Sequence, residues 1–272
     1  MKKRKISGQV QVYSRNTRDQ LTKIGKFVFK QEGLENIFRD VYSCVDELVK
    51  NAVKANYKFV MIVNYLQKII ASENPTLSQE AVFEKVDDII KHRETYDSEA
   101  AIAIKNEKIS SFVRETLTEE GMHIRIKNKA YEQHRNLTSD EIEKLKNLHK
   151  INMVRRELDE HNVKVLVSFE VDAGFIYIEV TNTAPILESD LNRIYAKRDE
   201  FRNFSQQGKQ QDFFLNNLDT SESGFGLGYA TIDSYLTDLG LDPYQTIQII
   251  AASDTTVILS LHLDVLRDKN KC

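Results

Sequence analysis

The chain has 272 residues, a formal net charge of −3, 41% hydrophobic residues and 29% charged residues. That length suffices for one large domain or two small ones with real cores, and the composition excludes wholesale disorder. The mild acidity, with a pI near 6.1, argues against bulk binding of nucleic acid or an anionic membrane, both of which need a net basic face. Glycine is scarce, with only 10 residues, yet Gly224, Gly226 and Gly228 fall together in one loop. The cysteines, Cys44 and Cys272, offer neither a disulfide framework nor a paired metal-ligand spacing. Cys44 lies in an apolar helical pattern and reads as an inert buried thiol.

The basic start Met1-Lys-Lys-Arg-Lys5 is not followed by the apolar region of a secretory signal. The longest apolar stretch, Phe59 to Val63, is far shorter than the ~18 residues of a membrane span. A cytoplasmic protein with no membrane and no nucleic-acid partner is expected.

In chain order, the first forty residues are polar with an amphipathic character. From Leu34 a helical period appears, with Ile37, Val41, Cys44, Val45, Leu48, Val49, Ala52 and Val53 on one broad face. It continues or restarts through Lys58 to Ile70 and ends before Glu73-Asn-Pro75. Residues 76–160 are rich in charge, with spaced Ile, Leu and Val, and read as mainly helical. Thr76-x-x-Gln79 and Thr138-x-x-Glu141 have the form of capping boxes. One piece, His123-Ile-Arg-Ile-Lys127, has strand-like alternation.

From residue 163 the period becomes two. Val163 to Glu170 and Phe175 to Thr181 read as strands joined by a hairpin turn at Val171-Asp-Ala-Gly174. A polar stretch from about Glu188 to Ser223 follows, then the glycine cluster and a helix from about Leu227 to Leu239. A second strand pair, Thr246 to Ala251 and Thr256 to Leu263, turns at Ala252-Ser-Asp254. The order predicts an α/β sandwich with helices covering one sheet face.

Two motifs carry chemistry. Ser223-Gly-Phe-Gly-Leu-Gly228 runs straight into a helix, where glycines permit close backbone approach and free N–H groups favour phosphate. It is neither a Rossmann fingerprint nor a P-loop, and by itself it suits a structural turn as well as a phosphate cradle. Glu47, Asn51 and Lys54 stand at i, i+4 and i+7 on one helical stripe. The Asn51 side-chain oxygen is a hard ligand suited to Mg²⁺, Glu47 can orient or deprotonate a nucleophile, and Lys54 can neutralise phosphate. The bland reading of that stripe is an ordinary solvated face.

Glu47-x-x-x-Asn51-Ala-x-Lys54 resembles the N-box of the GHKL superfamily, the ATP-binding fold of histidine kinases, gyrase-type ATPases and anti-sigma-factor serine kinases. Gly224-Phe-Gly-Leu227-Gly228 resembles its G2 box, and Thr255-Thr-Val-Ile-Leu-Ser-Leu261 its last strand, with Asp254 where a glycine is usual. The resemblance covers roughly residues 35–70 and 160–265. It implies a two-layer α/β sandwich of α+β class, the histidine kinase-like ATPase fold of Bergerat type, in a single domain. It also implies ATP and Mg²⁺ as ligands. Asn51 would hold the metal, Gly224, Gly226, Leu227 and Gly228 the phosphates, with Lys54 and Thr255 also lining the nucleotide. Asn182 stands at the G1 position where the family has an aspartate for the adenine amino group, and both G1 glycines are missing. An asparagine carbonyl can still accept from an exocyclic amine.

Residues about 187–222 would form the ATP lid, a mobile loop whose Lys197, Arg198, Arg202 and Lys209 can reach a γ-phosphate. Residues about 72–160 would be a helical insertion, either docking a partner or covering the sheet. A faint echo relates Ile124-Arg-Ile-Lys-Asn128 to Ile178-Glu-Val-Thr-Asn182. None of the six histidines has a phosphoacceptor setting, and His92 and His149 read as solvated. The expected function is a Mg·ATP-dependent kinase or ATPase in signalling, with Glu47 as base. The competing expectation is a catalytically inactive adaptor or ATP-gated switch that binds a protein partner through the insertion.

Overall fold

A computed structural model describes residues 4–217 and 227–271. In chain order the elements are β1 (Arg4–Val10), α1 (Arg15–Gln31), α2 (Phe38–Glu73), α3 (Gln79–Lys91), α4 (Arg93–Asn106), α5 (Ile109–Glu132), α6 (Ser139–Lys146) and α7 (His149–Glu160). Then come β2 (Val165–Asp172), β3 (Phe175–Asn182), α8 (Glu188–Gln206), α9 (Gln210–Asn217), α10 (Leu227–Asp238), α11 (Pro243–Thr246), β4 (Ile247–Ala251), β5 (Thr255–His262) and α12 (Leu263–Lys269). The chain divides into two compact units. The first holds residues up to Val10, Asn16–Val53 and Val165 onward; the second holds Gln11–Arg15 and Lys54–Lys164. The fold class is α+β.

The first unit is built on a five-stranded antiparallel sheet in the order β1-β2-β3-β5-β4. Its side chains alternate as a one-sided sheet requires. Ile176, Ile178 and Val180 of β3, and Val257, Leu259 and Leu261 of β5, are buried. On the other face Glu179 receives hydrogen bonds from Ser168 and Lys5, and Thr181 pairs with Thr256. The β2–β3 hairpin closes through Ala173 (φ 46°) and Gly174 (φ 86°), the left-handed pair that a two-residue turn of type I′ needs.

Helix α2 is one continuous element from Phe38 to Glu73, and its apolar stripe is the one its sequence period marks. Val41, Cys44, Val45, Leu48, Val49 and Val53 are all buried. Phe38, packed with tilted rings between Phe29 and Tyr42, fills the space left by Gly25, where a Cβ would run into its ring. Burial pushes the Cys44 thiol up to about 12, with the Asp233 carboxylate adding to the effect, so this cysteine is inert as expected.

The second unit is helical among the described residues, as the 76–160 composition predicts, and it begins within α2 at Lys54. The Thr138–Glu141 capping box forms, and Arg135 grips the Glu141 carboxylate with both terminal nitrogens, holding it down to about 2. Four expectations need correction. The strand-like piece 123–127 lies inside α5, where burial of Ile109, Val113, Thr116 and Glu120 follows a helical period that overrides the local alternation. The echo between Ile124–Asn128 and Ile178–Asn182 therefore joins a helix to a strand and is coincidence. Helix α3 starts not from Thr76 but from Ser78, whose hydroxyl accepts from Ala81 N, because the turn after Asn74 still includes Leu77. The stretch 187–217 is not a loop: it carries α8 and α9, held by aromatic side chains that a count of polar residues hides. His92 and His149 are exposed, as expected. The edge strand β1 answers to a short alternation, Ile6, Gly8 and Val10, inside the polar first forty residues.

Candidate functional site

The candidate site lies in the first unit, where α2, the start of α10 and the ends of β3 and β5 come together. Glu47 and Asn51 are one turn apart on α2, both half-buried. Gly228, the second residue of α10, is packed directly against them. A Cβ at Gly228 would collide with Glu47 Oε1 and lie 2.6 Å from Asn51 Nδ2. A glycine lets the α10 backbone come this close without displacing either side chain, and the two contacted side chains are the acid and the amide of the α2 motif. Gly224 and Gly226 lie outside the described residues.

Asn182 ends β3 and pairs in register with Thr255, which opens β5. Both are buried. Asn182 Oδ1 accepts from Ala184 N at 3.1 Å, and its Nδ2 donates to Ala52 O at 3.4 Å, the carbonyl next to Asn51 on α2. Thr255 Oγ1 donates to Ala184 O at 3.0 Å. The two strand ends and the turn after β3 are thus laced together and tied to α2. An amide oxygen accepts two hydrogen bonds, and among the described residues Asn182 Oδ1 accepts the one from Ala184 N. Lys54 falls in the second unit, where its charge helps to stabilise the Glu120 carboxylate.

Leu227 packs against a cluster of Phe201, Phe213 and Ala230, flanked by Phe204 and Phe214. That cluster fastens α8 and α9 to the beginning of α10. A second fastening joins α8 to α10: Arg198 Nε donates to both oxygens of Asp233, at 3.1 and 2.9 Å, with both side chains 2% exposed. Arg198 also donates to Pro243 O and lies over the Tyr244 ring, with Arg202 over the same ring. Tyr244 in turn donates to Asp199. Burial pushes the Asp233 carboxyl upward despite the attraction of Arg198, the mark of a desolvated pair. Lys197 donates to Glu200 and Asn217. Three of the four cations expected to reach a phosphate, Lys197, Arg198 and Arg202, are therefore engaged within their own unit. The one sequence clue to the pair is Asp233 itself, a charge among the apolar and aromatic residues of the buried side of α10.

Among the described residues, no group of three or more His, Cys, Asp or Glu side chains is placed to hold a metal ion. Beside Gly228 stand the carboxylate oxygen Oε1 of Glu47 and the amide of Asn51, whose Nδ2 faces the glycine and whose Oδ1 is its one hard donor. That set fits Mg²⁺, which takes few protein ligands and completes its shell with water and phosphate oxygens. Among the described residues no helix is long and apolar enough to cross a membrane. Comparison with protein-family models, with curated proteins and with solved structures gives no match.

Proposed function

We propose that the first unit is a nucleotide-binding module of GHKL type, taking Mg·ATP between α2 and the start of α10, in a cytoplasmic signalling protein. The observation that carries this reading is the contact of Gly228 with Glu47 and Asn51. The last glycine of one motif meets the acid and the amide of another far away in sequence, each motif being ambiguous alone. The sheet with one buried face and the lacing of Asn182 and Thr255 to α2 support the finer assignment to a two-layer sandwich of Bergerat type.

In this reading Asn51 holds Mg²⁺, whose charge offsets that of the phosphates. The α10 backbone receives the phosphates, Asn182 accepts from the adenine amine, and Glu47 takes the proton of the attacking hydroxyl or water. Phosphoryl transfer needs mainly positioning and charge neutralisation, so so few groups suffice.

The pairing of Lys197, Arg198 and Arg202 favours a second reading. With those cations engaged, the module would hold ATP without turning it over, as a switch whose protein partner docks on the helical second unit.

Thermal unfolding with and without Mg·ATP tests the common part. Nucleotide at 100 times its Kd should add roughly 2.7 kcal/mol, and no shift at millimolar nucleotide would overturn both readings. Asn51→Ala should abolish the magnesium dependence of the shift. Glu47→Ala should leave binding largely intact; a phosphate-release or phosphotransfer rate that it removes supports the enzyme, and no turnover in the wild type supports the switch.

A further inference from the structure

The second unit contains a buried acid that the nucleotide reading does not use. Glu120, on the inward face of α5, is 5% exposed. Its Oε1 accepts from the Tyr57 hydroxyl of α2 at 2.8 Å and from the backbone N–H of Tyr13 at 3.1 Å. Tyr13 belongs to Gln11–Arg15, a short segment that is part of the second unit although β1 before it and the body of α1 after it belong to the first. The same segment is fastened at both ends. Gln11 donates to Asp159 of α7, and the Arg15 guanidinium lies over the Tyr131 ring of α5 at 4.2 Å.

We propose that Gln11–Arg15 is a proton-controlled latch, closed over Glu120 while that carboxyl carries its proton and loosened when the proton leaves. A buried carboxylate must be compensated or rehydrated. Lifting a few residues of irregular chain is the least costly way to admit water, because Tyr57 and Glu120 sit on helices of several turns.

The groups around the acid determine where this happens. Tyr57 and Lys54 face it from α2 and Arg155 from α7, and all three favour the ionised form. Burial outweighs them and raises the carboxyl from an ordinary value near 4.5 to about 7. His123, one turn along α5 and in contact with Arg155, is held down to about 4 by burial and by the cations Arg155 and Lys127. It is neutral throughout the range in which Glu120 ionises. With the closed form binding the proton more tightly than the open form, opening grows as pH rises from about 4.5 and levels off above about 7.

Hydrogen exchange of the Gln11–Arg15 amides in the full chain from pH 5 to pH 8, corrected for intrinsic rates, tests this. Protection of Tyr13 should fall by roughly fortyfold between pH 5 and pH 7, then level. Glu120→Gln should flatten the profile. Tyr57→Phe removes a hydrogen bond that favours the carboxylate and should move the levelling point to higher pH, a result that decides the matter if the glutamine variant fails to fold. A flat wild-type profile, a fall that survives in Glu120→Gln, an unmoved levelling point in Tyr57→Phe, or an equal fall across α5 and α7 would each overturn the latch.

Discussion

Arg198→Ala is expected to cost the first unit about 3–5 kcal/mol, because it strands the Asp233 carboxylate in a site that is 2% exposed. The loss comes less from the attraction removed than from the charge left without a partner. Two consequences separate this from simple loss of packing. Because burial already pushes the Asp233 carboxyl upward, removing Arg198 pushes it further, and the penalty shrinks as pH falls and Asp233 takes up a proton. The double variant Arg198→Met, Asp233→Leu should recover most of the loss, since two apolar side chains need no compensation. Urea unfolding at pH 5 and pH 8, followed by exchange of the α8 and α10 amides, measures both. A penalty that does not change with pH would show that Asp233 is not the stranded charge.

Phe213→Ala should cost a similar amount, about 3–5 kcal/mol, for a different reason. Phe213 is fully buried on α9 and meets Phe201, Phe204 and Phe214 at ring-centroid distances of 5.2 to 5.9 Å. Truncation leaves a cavity lined by rings on helices that cannot easily close in. The nearest neighbour of this cluster along α10 is Leu227, one residue before Gly228. The variant should therefore loosen the start of α10 and weaken nucleotide binding along with stability. Phe213→Leu, which retains most of the volume, should lose much less. Equal losses in the two variants would mean that the site is already loosely packed.

How much of this can be read from the residues depends on whether the signal is local. The stripe of Val41, Cys44, Val45, Leu48, Val49 and Val53 is a period within one helix, and the structure buries it as written. The β2–β3 hairpin is equally local, with alternation on either side of Ala173-Gly174. The α8–α9 cap is not: its phenylalanines gain meaning only when Phe201 and Phe213 meet across two helices and α10. The Arg198–Asp233 pair is hidden for the same reason, since an arginine among polar residues looks solvated until its partner is known. The candidate site falls between these cases. Glu47 and Asn51 share a face by helical spacing alone, but only resemblance joined them to Gly228 before the fold put the three in contact.

Isothermal titration of Mg·ATP into the wild type and Gly228→Ala tests that contact most directly. The new methyl would meet the far ends of two flexible side chains, Glu47 and Asn51, so the fold should tolerate it. Alanine inside a helix can even gain up to about 1 kcal/mol over glycine. The methyl would also occupy the space where the α10 backbone faces the acid and the amide. The expected result is magnesium-dependent binding to the wild type and at least a tenfold loss of affinity in a Gly228→Ala protein of unchanged or higher Tm. Absence of binding to the wild type, or equal affinity in the two proteins, would contradict a nucleotide site between α2 and α10.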